Sequence, residues 1–152
     1  MAKLDRRLVF VLQRAARAAI GHANERTLDA IGVSATQLAT LAYLAKHPRS
    51  TMTEIANLLD LNKSAVSSMI SRLERAGLVT RTSDPDDARS SFVSLTSKGA
   101  SVCETAIPLI KRTTAEITAG FSPGELDVIY RFLNAVIERC STDGGDDDAA
   151  DA

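Results

Sequence analysis

The sequence has no tryptophan, only two cysteines, and no apolar run near the roughly 18–20 residues that a bilayer-spanning helix needs. Cys103 and Cys140 are too few to staple a small fold, and they fit a reducing cytoplasm. The N-terminus lacks an uninterrupted apolar stretch before a small-residue cleavage site. Lys3, Arg6, Arg7, Arg14 and Arg17 punctuate it, so it does not read as a secretory signal. The glycines form no GxGxxG or Walker loop, and His22 and His47 fall in different predicted helices with no HExxH or CxxC pattern nearby. No nucleophile–base pair, metal cluster or phosphate cradle is legible, so an enzyme is not the expected class. No cofactor, metal or membrane partner is expected.

What is present is the composition of one ordinary globular domain, 152 residues with 45% hydrophobic and 24% charged side chains. The net charge of −1 hides an asymmetry: residues 141–152, STDGGDDDAADA, carry five Asp and no base, which leaves +4 on residues 1–140. The self-repelling tail is expected to be disordered. A positive remainder is a weak pointer to an anionic partner.

Helix punctuation organises the rest. Leu4, Leu8, Val11, Leu12, Ala15 and Ala19 recur at helical spacing within residues 4–30, and Gly32 ends that helix. Ser34 with Gln37 forms a capping-box pair ahead of a stripe of Leu38, Leu41, Ala42 and Ala45, ended by Pro48. Thr51 with Glu54 repeats the pattern before Ile55, Ala56 and Leu59. After a break at Asp60–Asn62, a fourth helix runs from about 63 to 76 with Val66, Met69, Ile70 and Leu73 inward and Gly77 as its left-handed cap. The period then changes. Residues 78–82 and 92–95 read as two short strands around a charged turn at 83–90. Thr96 opens a fifth helix whose interior Pro108 predicts a kink. Ser122, Pro123 and Glu125 open the last helix.

Residues 52–71 have the requirements of a helix-turn-helix. Ala56 is the small residue where two helices cross, Leu61 closes the turn, and Ile55, Leu59, Val66 and Met69 form the wedge. The second helix then turns Asn62, Lys63, Ser64, Ser67, Ser68, Ser71 and Arg72 outward. Such a polar, short and nearly acid-free face fits a major groove. Serine is a mediocre helix former, so its repeated use here calls for a reason beyond propensity. The hairpin that follows makes a winged helix. Arg89 on its tip suits a narrow minor groove, while Asp87 would pair with Arg89 or with a base such as Arg72 and shape the wing. The expected DNA-contacting set is Thr51, Asn62, Lys63, Ser64, Ser67, Ser68, Arg72, Arg89 and Ser90.

The stretches LATLAYL (38–44), TEIANLLDLNKSAVSSMISRLERAGLVTR (53–81) and DPDDARSSFVSLTSKG (84–99) resemble the multiple-antibiotic-resistance-regulator (MarR) family of winged-helix repressors. The last holds the family's Asp-x-Arg wing signature as Asp87-Ala88-Arg89 and its Leu-Thr-x-x-Gly start of helix five. The resemblance implies a homodimer, a recognition helix near 63–76, Arg89 in the minor groove of double-stranded DNA, and repression. One departure is Ser68, where the family often has Arg.

The expected fold is mainly α with a small β-hairpin: one domain over 1–140, with the winged helix at about 34–98 and dimerisation helices at about 4–30 and 97–140. The apolar stripes of the terminal helices could pack on a symmetry mate or form an intramolecular three-helix cap. The family resemblance favours the dimer. It also implies release of DNA by a small aromatic or phenolic anion, for which Arg14, His22 and Tyr43 are candidate lining groups, or by Cys oxidation. Family peroxide sensors usually carry the reactive Cys in the first helix, where this chain has none. Two alternatives stay open: a winged-helix module working through protein partners, and a redox regulator using Cys103 or Cys140.

Overall fold

The computed structural model describes residues 5–84 and 90–140. Leu4, the wing residues Asp87 and Arg89, and the acidic tail lie outside the described residues. The order is α1 (Leu8–Ile31), α2 (Ala35–Lys46), β1 (Ser50–Thr51), α3 (Met52–Leu59), α4 (Lys63–Arg75), β2 (Val79–Ser83), β3 (Ser91–Leu95), α5 (Ser97–Ile117) and α6 (Pro123–Cys140). The chain divides into two units, Met1–Thr114 and Ala115–Ala152, with the boundary inside α5. No single described helix is long and apolar enough to cross a membrane.

In the first unit the core gathers Leu38, Leu41 and Leu44 of α2, Ile55 and Ala56 of α3, the inner stripe of α4, and Val79 and Val93 of the sheet. The α4 stripe is as predicted: Val66, Met69, Ile70 and Leu73 are all buried. In α2 the stripe is rotated. Ala42 and Ala45 are exposed, whereas Thr40 and Leu44 are buried. Thr40 fits because its hydroxyl donates to the Thr36 carbonyl at 2.9 Å and meets Met69 Sδ at 3.7 Å, which leaves no unmet polar group inside.

The sheet has three antiparallel strands, ordered β1-β3-β2, rather than the two of a simple hairpin. Ser50 and Thr51 pair with Val93 and Phe92, and β2 pairs with β3 from Val79↔Leu95 to Ser83↔Ser91. The Asp84 N–H donates to the Ser90 carbonyl at 3.1 Å and closes the base of the wing. Arg49, in the left-handed region at φ 66°, carries its guanidinium over the Phe92 ring at 4.5 Å. That clips the approach to β1 onto the wing strand.

The joints follow local rules. Both predicted capping boxes at Ser34/Gln37 and Thr51/Glu54 are formed. A third N–H at the start of α2 finds its acceptor outside that helix: Asn24 Oδ1 of α1 accepts from the Ala35 N–H at 2.8 Å. At the end of α4, Gly77 takes φ +72°, with Gly77 N–H bonded to Glu74 O and Leu78 N–H to Leu73 O. These are the two bonds of a Schellman ending. At Glu54, hydrogen bonds from the Thr51 backbone N–H, then its hydroxyl, hold the carboxyl below its ordinary 4.5. Its contribution is therefore full above about pH 4.5 and is lost as pH falls through the lowered folded value. Glu54→Gln should flatten the acid side of the melting temperature against pH below that point. Parallel curves for the two proteins would remove the carboxylate from the stability of α3.

α5 continues through Pro108. Its start is fixed by Thr96, whose Oγ1 donates to the Gly77 carbonyl at 2.7 Å and accepts from the Gly99 N–H at 3.0 Å. In α1 the expected stripe is not covered: Thr27 is the helix's one buried residue among those described, and Leu8 and Val11 of the stripe are 53% and 37% exposed. In the second unit α6 opens with the Ser122/Glu125 box. None of its residues is buried, and Ile137 is 62% exposed. Both helices are amphipathic in sequence, yet their apolar faces meet solvent within a single chain.

Candidate nucleic-acid interface

α3 and α4 meet as the sequence requires. Asp60 turns the chain at φ 50°, the Leu61 N–H bonds to the Ala56 carbonyl at 3.1 Å, and buried Ala56 allows the close approach. The inner stripe of α4 locks its orientation and commits the opposite face to solvent. On that face Asn62, Lys63, Ser64, Ser67, Ser68 and Arg72 are all exposed.

These residues do not play equal parts. Asn62 caps the helix: its Oδ1 accepts from the Ala65 N–H and the Ser64 hydroxyl, each at 2.8 Å. Thr51 is half-buried, and its hydroxyl both donates to and accepts from Glu54 in the α3 cap. Asn62 and Thr51 therefore set helix starts, with part of their hydrogen-bonding capacity already used. Lys63 and Arg72 have no ion-pair partner among the described residues, and the hydroxyls of Ser67 and Ser68 have no acceptor or donor there. The first turn of α4 has no acid, and its one carboxylate, Glu74, lies 3.5 Å from Arg81 Nε. Free cations and free hydroxyls thus share one face of a helix held from behind by its buried stripe. Ser90 is half-buried where β3 begins its return from the wing. Asp87 and Arg89 lie outside the described residues.

Ser71 corrects an expectation. It is half-buried, and its hydroxyl accepts from Arg81 Nη2 at 2.9 Å instead of facing outward. Sequence spacing missed Arg81 altogether, because it reaches α4 from β2 across ten positions. The only sign was an Arg in a strand otherwise suited to a solvated ribbon.

The candidate effector residues lie on α1 and α2. Arg14 is exposed on α1, 5.6 Å from the Phe10 ring centroid, and His22 is half-buried on the same helix. Tyr43 stacks on His47 with ring centroids 4.4 Å apart. An open, mostly apolar depression lies around Phe121, Val128 and Ile129 at the start of α6. Cys103 is half-buried, and burial followed by the Glu104 carboxylate pushes its thiol up, away from the reactive thiolate. Cys140 is exposed at the end of α6.

Residues 31–90 match the sequence model of the MarR family. The chain is 30% identical over 107 residues to the organic hydroperoxide resistance transcriptional regulator of Bacillus subtilis, covering 70% of this chain and 72% of that one. Its fold is similar to that of Sco3205, a MarR family transcriptional regulator from Streptomyces coelicolor solved in complex with DNA. The TM-score is 0.83 at 24% identity, over 96% of this chain and 95% of that one. It is also similar to BpsR of Bordetella bronchiseptica, whose DNA binding is regulated by 6-hydroxynicotinic acid, with a TM-score of 0.79 at 22% identity over 86% and 98%. With a winged helix, a free polar face on α4 and these relatives, the chain belongs to the MarR family of DNA-binding transcriptional regulators.

Proposed function

We propose that this chain is a homodimeric, sequence-specific repressor that binds a pseudo-palindromic operator and is released by a small aromatic or phenolic ligand. The observation that carries the DNA reading is the outer face of α4. There Lys63, Ser67, Ser68 and Arg72 are exposed and without partners among the described residues, on a helix held from behind by four buried side chains. Lys63 and Arg72 would meet phosphates, Ser67 and Ser68 base edges, and Arg89 the minor groove beside them. Asn62, Ser64, Thr51 and Ser90 would frame that contact, with Asp87 shaping the wing. Residues 1–140 would act as one functional domain.

Uncovered apolar faces on α1 and α6 support self-association, since Val9, Val128 and Ile137 would otherwise remain in water. A two-fold pair would set the recognition helices about 34–36 Å apart, one turn of duplex. The ligand reading rests on BpsR and on Arg14, His22 and Tyr43 as candidate lining groups between the dimer helices and the DNA-binding lobe. The raised thiol of Cys103 and the absence of Cys from α1 disfavour a redox trigger.

Selection of bound duplexes from a random pool by the purified protein tests this reading; a palindrome should be recovered. Affinity should fall as a large power of salt concentration, because several phosphate counterions are released. Arg89→Ala should weaken binding to the recovered duplex by about 1–3 kcal/mol. An unchanged affinity would take the wing out of the mechanism. A monomer that recovers no preferred duplex even at low salt would overturn the proposal. That outcome would favour the protein-partner alternative, to which Ser68 and the acidic tail already lean.

A further inference from the structure

Arg81 occupies the middle of β2, opposite Val93 of β3, and its side chain is mostly buried. Its guanidinium reaches across to three residues spread over two turns of α4. Nη2 donates to Ser71 Oγ at 2.9 Å and to the Ser67 carbonyl at 3.3 Å, and Nε lies 3.5 Å from Glu74 Oε2. Nε is buried and has no hydrogen-bond acceptor among the described residues, so the Glu74 charge is its main compensation. A planar fork held at three points constrains both the height and the rotation of one element against another, which a single flexible ammonium does not. The strand that carries it leads directly into the wing, and the helix it grips carries the free serines.

We infer that Arg81 is a positioning residue that fixes the angle of α4 against the wing strand. Discrimination between duplexes then depends on a side chain that reads no base. The inference rests on the DNA reading above. Arg81 is unsuited to be a phosphate contact, because its charge faces Glu74 and its Nε and Nη2 are turned toward α4, unlike the exposed Lys63 and Arg72.

The test compares the full-length wild type with Arg81→Ala, Arg81→Lys, Ser71→Ala and the Arg81→Ala/Ser71→Ala pair. Each is measured by fluorescence anisotropy on the selected duplex and on a scrambled duplex, across a salt series. Arg81→Ala should lose about tenfold on the selected duplex, the size of one good base-edge contact. Its affinity for the scrambled duplex should stay within about twofold, and the salt slope there should not change. Arg81→Lys should not restore discrimination, because it lacks the fork. Ser71→Ala removes only the acceptor and keeps the inference testable should Arg81→Ala fail to fold. It should show part of the same loss, and the double variant should be no worse than Arg81→Ala. Equal losses on both duplexes with a salt slope lower by about one would mean a direct phosphate contact and overturn the inference. So would full rescue by lysine, additive losses in the pair, or an unchanged ratio of the two affinities in Arg81→Ala with wild-type selection intact. A wild type that prefers no duplex overturns the DNA reading itself and this inference with it.

Discussion

Gly99→Ala should lower folding stability by about 3 kcal/mol, the upper end of what overpacking usually costs. A Cβ at this position would fall inside the van der Waals radius of the Leu78 carbonyl oxygen and 2.7 Å from Leu95 Cδ1. The leucine tip can rotate, but the carbonyl cannot, because it accepts the Thr96 N–H at 3.1 Å. Moving the Leu78 carbonyl or the Gly99 backbone breaks the knot in which Thr96 joins Gly77, Leu78 and Gly99. That knot fastens the end of α4 to the start of α5. It supplies a physical reason for the Leu-Thr-x-x-Gly motif at Leu95–Gly99: threonine for two hydrogen bonds, glycine for close approach. Urea unfolding at fixed protomer concentration should show a lower midpoint with an unchanged m-value. A loss below about 0.5 kcal/mol, the range of neutral surface changes, would mean that the joint can shift freely.

Ile70→Ala should cost about 4 kcal/mol, since its fully buried side chain on α4 would leave a cavity in the centre of the core. Ser67→Ala, less than one turn away on the same helix, should change stability by no more than about 0.5 kcal/mol. It should instead shift which duplexes are preferred. Paired melts and binding curves check this division between the two faces. A Ser67→Ala protein that weakened equally on every duplex would contradict base readout by that hydroxyl.

The helix starts were legible because they are local. Ser34/Gln37, Thr51/Glu54 and Ser122/Glu125 each satisfy free N–H groups within four residues, so chain spacing alone determines the partners. The inner stripe of α4 was legible for a similar reason, since α4 is covered from one side. In α2 the reading failed at Ala42 and Ala45. Methyl groups add little burial energy, and the larger Leu44 together with a self-bonded Thr40 won the inner face. β1 escaped notice because two residues carry no period of their own, and their strand identity comes from Phe92 and Val93 some forty residues away. Arg81 escaped for the same reason, its partners lying on another element.

Residue order alone determined where helices begin and end, which side of α4 enters the core, and that a turn-rich hairpin follows it. All of these are contests between neighbours three or four positions apart. Tertiary structure decided which polar groups remain free for a ligand. Ser67 and Ser68 keep their hydroxyls free among the described residues, whereas the Ser71 hydroxyl accepts from Arg81, and the Thr51 hydroxyl and the Asn62 amide oxygen serve caps. Three serines with the same chemistry were separated by what packs beside each one, and that depends on chain segments brought together only by folding.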